Sequence, residues 1–454
     1  MKKRRSPRQR NHRNVAPARK AAVEALLRSE TGHLFLNECL DQVFRELSLS
    51  DRDRRLAMEI AYGSTRFRGR LDSILAAYVN QGLESLPQPV LQILRCAAYQ
   101  ILNLTKIPPF AAVDDAVEQV RTAGCEGLTG LANAVLRGII RGDRQVHLPG
   151  WETDPVGHLT VVHSHPKLLV ETWLERWPSD RVHDLCRFNN EPAPLFGRVN
   201  PLKSGADIPQ DNLDPTIPNC VKLGIQGNPA ESSLLSEGYV TIQDPAAMLV
   251  APLLSLKPGM RVWDVCAAPG GKCTHCAEIM NDVGQVVATD LSWKRLQTVR
   301  ENMQRLGLTG IDLAVSDGLR PPWGAERPLF DAILLDAPCT GWGTLRRHPD
   351  LRWRLSPSDP ERLGILASNL LTSVSRCLRR DGVLVYATCT LSHEENEDVI
   401  CRFLEEHTNW RLEPVTDWLP QAFHNMVERE GWLSVFPPEA GTDGVFAARL
   451  RKVN

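Results

Sequence analysis

Apolar residues recur at three- and four-residue spacing through most of residues 18–141. ARKAAVEALLRSE, HLFLNECLDQVFREL, RRLAMEIAYGSTRFRGRLDSILAAYV, PVLQILRCAAYQILNL, AAVDDAVEQVRTAG and LANAVLRGIIR all carry this period. It lays one apolar stripe along a helix. SLSDRD, SLPQP, KIPP and GCEGLTG separate the stretches with turn residues. No strand pattern interrupts, so an all-α bundle of six or seven helices is expected over 18–145.

Prolines then recur, at Pro149, Pro155, Pro166, Pro178, Pro192, Pro194 and Pro201, around one clear helix, PKLLVETWLERW. Residues 146–235 are expected to form a connecting α/β subdomain that packs on the domain C-terminal to it. From 236 to 454 the period alternates. Apolar runs at 260–267, 284–290, 311–317, 330–338 and 382–389 read as strands. THCAEIMN, SWKRLQTVRENMQRLG and ERLGILASNLLTSVSRCLRR between them read as helices. This alternation predicts a doubly wound, mostly parallel sheet, an α/β fold. WLSVFP and VFAARL are expected to add antiparallel strands at its edge.

Charge adds one feature. The net charge is −1, yet the first 20 residues carry nine Lys or Arg and no acid. Residues 1–17 are expected to be a disordered basic tail, either simply solvated or touching nucleic acid through loose phosphate contacts. An organelle transit peptide is a further reading, weakened by the scarcity of Ser and apolar residues. No run approaches about 18 uncharged apolar residues, so no membrane contact is expected. No secretory core follows the N-terminal charges, and the 12 cysteines lack disulfide-framework spacing. A reduced, cytoplasmic protein is expected.

Ligands in open α/β sheets bind beyond the carboxyl ends of the strands. At the first such end, DVCAAPGGKCTH turns through Pro269-Gly270-Gly271 into a helix. A phosphate-binding P-loop would need glycine where Cys266 stands and Ser or Thr where Cys273 stands. Asp290, Asp317 and Asp336 close three further runs. A nucleoside with ribose hydroxyls, a positive centre and no phosphate suits such an acidic rim, and S-adenosyl-L-methionine has that character. The CTHC stretch lies on a helix start with no second CxxC, so a metal site is not expected there.

Cys339 and Cys389 each sit just past a strand, beside this rim. Cys220, Cys377 and Cys401 read as ordinary small buried hydrophobes. A thiolate beside a methyl donor suggests one reaction. Carbon 5 of a pyrimidine is a poor nucleophile, but sulfur addition at carbon 6 makes it enamine-like. The stretch LRRHPDLRWR (345–354) mixes arginine with Trp353 and His348, as RNA-contacting loops do, or forms a solvated loop.

DVCAAPGGKCTH, LLDAPCTGWGTLRRHPD, YATCTLSHEENED and GTDGVFAARLR resemble the signature stretches of the RNA cytosine-5 methyltransferases, the Sun/Fmu group. LAMEIAYGSTRFRGRLDSIL, LQILRCAAYQIL, PPFAAVDDAVE and LANAVLRGIIR are similar to the NusB-like RNA-binding domain. The resemblance covers nearly the whole chain from about residue 18. It implies a Rossmann-like class I methyltransferase domain behind a NusB-like helical domain. It implies Cys389 as nucleophile and Cys339 as the cysteine that assists product release. It also implies Cys266, Ala267, Ala268, Pro269, Gly270, Gly271 and Lys272 as the cofactor loop, with Asp290, Asp317 and Asp336 as acidic contacts. The fusion points to small-subunit (16S) ribosomal RNA as partner, and a monomer is expected. The alternatives are the same chemistry on transfer or large-subunit ribosomal RNA, and a non-catalytic assembly factor. Thr340, Thr390, Trp342 and Cys273 depart mildly from the usual pattern, and the effect of Trp342 on the fit of the target RNA is left open by the sequence. Glu394, Glu395, Asn396 and Glu397 read as a helix N-terminus whose acids complement its dipole.

Overall fold

The computed structural model describes residues 15–32, 34–205, 207–224, 232–323, 329–354 and 356–453. The basic tail lies outside the described residues up to position 14. Among the described residues no helix is long and apolar enough to cross a membrane. The chain divides into two compact units, 1–190 with 348–353, and 191–347 with 354–454.

In the first unit, seven helices follow the predicted stripes: α1 (Pro17–Thr31), α2 (Leu36–Leu47), α3 (Asp51–Arg66), α4 (Arg68–Ala76), α5 (Gln88–Asn103), α6 (Pro109–Thr122) and α7 (Thr129–Arg141). The long third stretch breaks at Phe67 into α3 and α4. Ser50 caps α3 by accepting from the Asp53 amide, with Asp51 and Asp53 in the first turn. Helix α5 is buried along most of its length, so its polar groups need partners. Arg95 pairs bidentately with Asp72 at 2.7 and 2.8 Å. Gly63 on α3 lets Tyr99 of α5 lie against the backbone; a Cβ there would sit 2.0 Å from the ring.

Helices α8 (Pro155–Val161), α9 (Lys167–Arg176) and α10 (Ser179–Phe188) complete this unit. The stretch expected to form one connecting subdomain thus contributes to both units, because its strands at 196–199 and 220–222 lie in the second. The first unit also contains His348–Trp353 of the LRRHPDLRWR stretch, so this part is packed rather than a solvated loop. Arg352 is 0% exposed and donates to the carbonyls of Arg66, Ser164 and Asn189 and to Asn190 Oδ1. The Trp353 indole donates to Thr65 O at 2.7 Å, and the Leu36 amide donates to Asp350 at 3.1 Å. These side chains serve packing and buried hydrogen bonds.

The second unit opens with a small antiparallel sheet of β1 (Phe196–Val199), β2 (Cys220–Lys222) and β3 (Val240–Ile242), in the order β2-β1-β3. The main sheet holds β4 (Arg261–Asp264), β5 (Gln285–Asp290), β6 (Ile311–Val315), β7 (Phe330–Asp336), β8 (Leu378–Thr388), β9 (Trp410–Glu413), β10 (Leu433–Val435) and β11 (Val445–Lys452). Its order is β10-β11-β8-β7-β4-β5-β6, with β9 also on β11. Strands β4 to β8 are parallel, and β9 to β11 are antiparallel additions. Alternate residues feed two cores. Val262, Leu334 and Val385 face one, and Trp263, Ile333 and Leu384 face the other. The chain runs outward from β4 to β6, then returns to lay β7 on the other side of β4. That reversal opens a crevice beyond the carboxyl ends of β4 and β7.

Candidate active site

Strand β4 ends on Asp264, and the chain turns through 266–270 into the helix Gly271–Ile279. Backbone bonds hold each side of the turn. The Ala267 amide donates to Thr289 O, Ala268 O accepts from Arg295, and Pro269 O accepts from Asn302. Gly270 has φ +112°, and a Cβ there would press on Val299 at 3.3 Å. Gly271 O accepts from Arg198 at 2.9 Å. Lys272 reaches back across the crevice to Asp336, at 2.6 Å. Burial opposes its charge, but Asp336, then Cys389 and Asp264, outweigh that and raise the ammonium pKa. Burial, followed by Asp264, Asp336 and Asp290, pushes the Cys266 thiol above its usual range.

The expected acids differ in their surroundings. Asp290, buried at the end of β5, accepts from the Ser292 amide and pairs with the exposed Arg295 at 3.0 Å. Asp317 lies two residues past the end of β6 and accepts from the Leu319 amide at 2.9 Å, as a turn acid does. Asp336 ends β7, half-buried, with Lys272 as its partner.

The two cysteines meet. Cys339 follows β7 and Cys389 follows β8, adjacent parallel strands, and their sulfurs are 3.4 Å apart. Both are half-buried. The hydrogen bond to Cys389, then burial, raises the Cys339 pKa well above the ordinary thiol value.

Close backbone contact holds this pair. The Gly343 amide donates to Cys389 O at 2.9 Å, and the Gly444 amide donates to Gly343 O at 2.8 Å. A Cβ on Gly343 would lie 2.7 Å from the carbonyl oxygens of Cys389 and Gly444. Arg347 spans Asp244 at 2.7 Å and Asp443 at 2.9 Å, so the GTDG stretch is tied to the same loops. Trp342 is 2% exposed, so any effect on the fit of the target RNA would pass through the packing of this loop. Cys273 and Cys276 belong to the hydrophobic core, and the Cys273 thiol donates to Gly270 O at 3.3 Å. Cys220 and Cys377 are buried as expected, whereas Cys401 is exposed on its helix.

Comparison with known proteins decides the family. Residues 251–451 match the family described as 16S rRNA methyltransferase RsmB/F, residues 16–141 the NusB family, and residues 165–214 the ferredoxin-like domain of RsmF/B-like methyltransferases. The probable ribosomal RNA small subunit methyltransferase B of Bacillus subtilis is 34% identical over 96% of this chain and 98% of its own. The chain belongs to the S-adenosylmethionine-dependent small-subunit ribosomal RNA methyltransferases of the RsmB type. The enzyme of Pseudomonas syringae is 33% identical over 96% of this chain and 97% of its own. Among solved structures, PH0851 matches with a TM-score of 0.81 at 25% identity, covering 97% of this chain and 100% of that one.

Two carboxyls of this methyltransferase escape a reading of the sequence. Asp264 is 1% exposed, and neither carboxylate oxygen has a hydrogen-bond partner among the described residues. Burial first, then Asp336 and Asp290, push its pKa up to about 8. Its one local signal is an acid closing an apolar strand directly before the glycine turn. A raised pKa means that the folded protein holds this proton more tightly than the unfolded chain. The stability it contributes is present below the ordinary carboxyl range and is lost as pH rises through about 8. Asp264→Asn is therefore expected to flatten the fall in stability between about pH 4 and 8, measured by urea unfolding at several pH values.

Glu395 reads in the sequence as an acid complementing a helix dipole. The helix begins at Glu397, and Glu395 turns inward instead. Its carboxylate accepts from the Thr340 amide and hydroxyl, both at 2.7 Å, and from Thr390 Oγ1 at 3.4 Å. The two hydroxyls lie 2.6 Å apart. Thr340 and Thr390 directly follow the two cysteines, so one carboxylate ties both cysteine loops together. Burial pushes its pKa up to about 7, against these hydrogen bonds. Glu395→Ala strands the Thr340 donors, at about 1–3 kcal/mol for each buried group left unsatisfied. A lower melting temperature and slower methylation are expected, with donor binding retained, as read by calorimetry and methyl-transfer assay.

Proposed function

We propose that this protein methylates carbon 5 of one cytosine in 16S ribosomal RNA, through a covalent bond between Cys389 and carbon 6. The observation that carries the reading is the pair of sulfurs 3.4 Å apart at the ends of β7 and β8, beside the Lys272–Asp336 pair. A binding module needs neither. The crevice also suits the methyl donor. Asp264 offers a buried carboxyl with no partner of its own, the acids outnumber the cations, and Gly270 lets the turn lie close. Cys266 to Lys272 would line the donor, with Asp290 toward its ribose hydroxyls and Asp317 beyond the next strand. When bound, S-adenosylmethionine supplies an electrophilic methyl group.

The chain's own residues then act in sequence. The Cys389 thiolate forms a bond to carbon 6, and the ring's electrons move to carbon 5. Lys272 complements the negative charge entering the ring, and Asp336 lies along the pyrimidine edge. Once carbon 5 is methylated and has lost its proton to a base, the bond from carbon 6 to Cys389 breaks. The Cys339 thiol hydrogen-bonds the departing sulfur and helps it leave. The base must be unstacked to reach this site, so the RNA needs a separate hold. The NusB-like helical domain and the basic tail are read as that hold, in a protein acting as a monomer.

Bisulfite sequencing of all cellular RNA after deletion of the gene tests this reading. One 5-methylcytosine is expected to vanish from 16S ribosomal RNA and to return with the wild-type gene but not with Cys389→Ala. Loss from transfer or large-subunit RNA instead would overturn the target, and no change in any RNA would overturn the activity.

A further inference from the structure

Three histidines outside the methylation site converge within the first unit. His158 lies on α8, His163 just past its end, and His183 on α10. One nitrogen from each falls within 4.8 Å of the other two. The ring centroids of His158 and His183 lie 5.2 and 4.8 Å from that of His163, and 6.0 Å from each other. All three are half-buried. Trp151 covers one side, its ring centroid 4.7 Å from His183 and 5.9 Å from His158.

We propose that His158, His163 and His183 bind one divalent transition-metal ion of the zinc type, which clips α8 and the turn after it to α10.

Spacing supports this. Two imidazole nitrogens on a tetrahedral zinc ion stand about 3.3 Å apart. The observed nitrogens need to close by no more than roughly 1.5 Å, within the range of side-chain rotation for half-exposed rings. His158 is already oriented. Its Nδ1 lies 2.9 Å from Pro149 O, which leaves Nε2 as the coordinating nitrogen. A backbone carbonyl behind the far ring nitrogen is the usual outer support of a metal-bound histidine. Imidazoles select zinc, cobalt, nickel and copper over calcium or magnesium.

Charge near the cluster has both signs. Arg187 and Arg70 act on His163, and both disfavour a cation. Arg187 is paired with Asp184 at 3.3 Å, and Asp184 and Asp180 both act favourably on His183. Three protein ligands leave a fourth position for water. The competing reading is a packing cluster in which the imidazoles stack on Trp151 and bind nothing.

The test is titration of the full-length protein with Co²⁺ alone, followed by absorption, and then with Zn²⁺ by calorimetry under reducing conditions. Cobalt discriminates because the chain has 12 cysteines. Saturation at one ion per chain is expected, with the comparatively intense visible d–d bands of tetrahedral cobalt and no thiolate charge-transfer absorption. His158→Ala and His183→Ala should each weaken binding at least about tenfold, the least that removal of even an outer-shell partner costs. His147→Ala, at an exposed position, should leave it unchanged. Circular dichroism of the metal-free variants checks that they fold. Absence of saturable binding, or a thiolate band, would overturn the proposal. So would binding that survives both substitutions. None of these readouts depends on methylation, so their failure would leave the proposed activity standing.

Discussion

Replacement of Cys389 by alanine is expected to lower methyl transfer by at least about three orders of magnitude, which corresponds to ~4 kcal/mol of barrier. Without sulfur addition, carbon 5 keeps the poor nucleophilicity of an aromatic ring, and no other group in the crevice supplies that activation. The Cys339 sulfur lies 3.4 Å from that of Cys389, and in the variant burial still disfavours the thiolate it would need to act as nucleophile. Cys339→Ala should behave differently. The nucleophile remains, so the bond to carbon 6 still forms, but the departing sulfur loses its hydrogen-bond donor. RNA should then stay attached to the protein through denaturing electrophoresis, and turnover should fall while a first methyl transfer persists. Donor binding, measured by calorimetry, should be near wild-type in both variants, which separates lost chemistry from lost folding. Methylation by Cys389→Ala at the normal rate would defeat the mechanism. Trapped RNA in Cys389→Ala and none in Cys339→Ala would exchange the two roles.

Strands β4 to β8 are legible in the sequence because parallel strands covered on both faces show as apolar runs, and their ends are marked by Asp264, Asp290, Asp336 and the two cysteines. The seven helices are legible because each buries one stripe. Other features depend on contacts between residues distant in sequence. Strands β1 to β3 have three or four residues each, too short for alternation to register amid the prolines. Strand β9, WRLE, carries two charges and escapes for the same reason. Arginine beside tryptophan looks alike in a solvated loop and in a buried hydrogen-bond network, so the place of Arg352 cannot be read from its neighbours. Glu395 misleads because acids before a helix usually serve the dipole; only its approach to Thr340, 55 residues away, shows otherwise. Asp264 is overshadowed by the acids at other strand ends, since nothing local shows that both its oxygens lack partners.

The second large effect is expected away from the cysteines, at Glu278. This residue lies on the helix that follows the 266–270 turn, and it meets Arg198 of β1 through two hydrogen bonds, at 2.7 and 3.0 Å. Both side chains are almost fully buried, at 1% and 2% exposure. Arg198 further donates to Thr274 Oγ1 at 3.0 Å, to Gly271 O at 2.9 Å and to Gln243 Oε1. One guanidinium thus fastens the small sheet to the first turns of that helix. Glu278→Ala leaves its charge buried without a carboxylate, at a cost of about 3–5 kcal/mol. That is a large share of the roughly 5–15 kcal/mol that holds a folded domain. The midpoint of urea unfolding should fall accordingly. On the proposed function, donor affinity should fall with it, because Gly271 O, at the exit of the turn proposed to line the donor, loses a fixed partner. Replacement of both residues, Arg198→Met with Glu278→Leu, removes two buried charges together and should recover most of the stability. It should not recover donor affinity, since no donor then holds the Gly271 carbonyl. If Glu278→Ala stayed within about 0.5 kcal/mol of wild type, as surface substitutions do, the pair would have to be solvated. The small sheet would then have no part in positioning the cofactor loop.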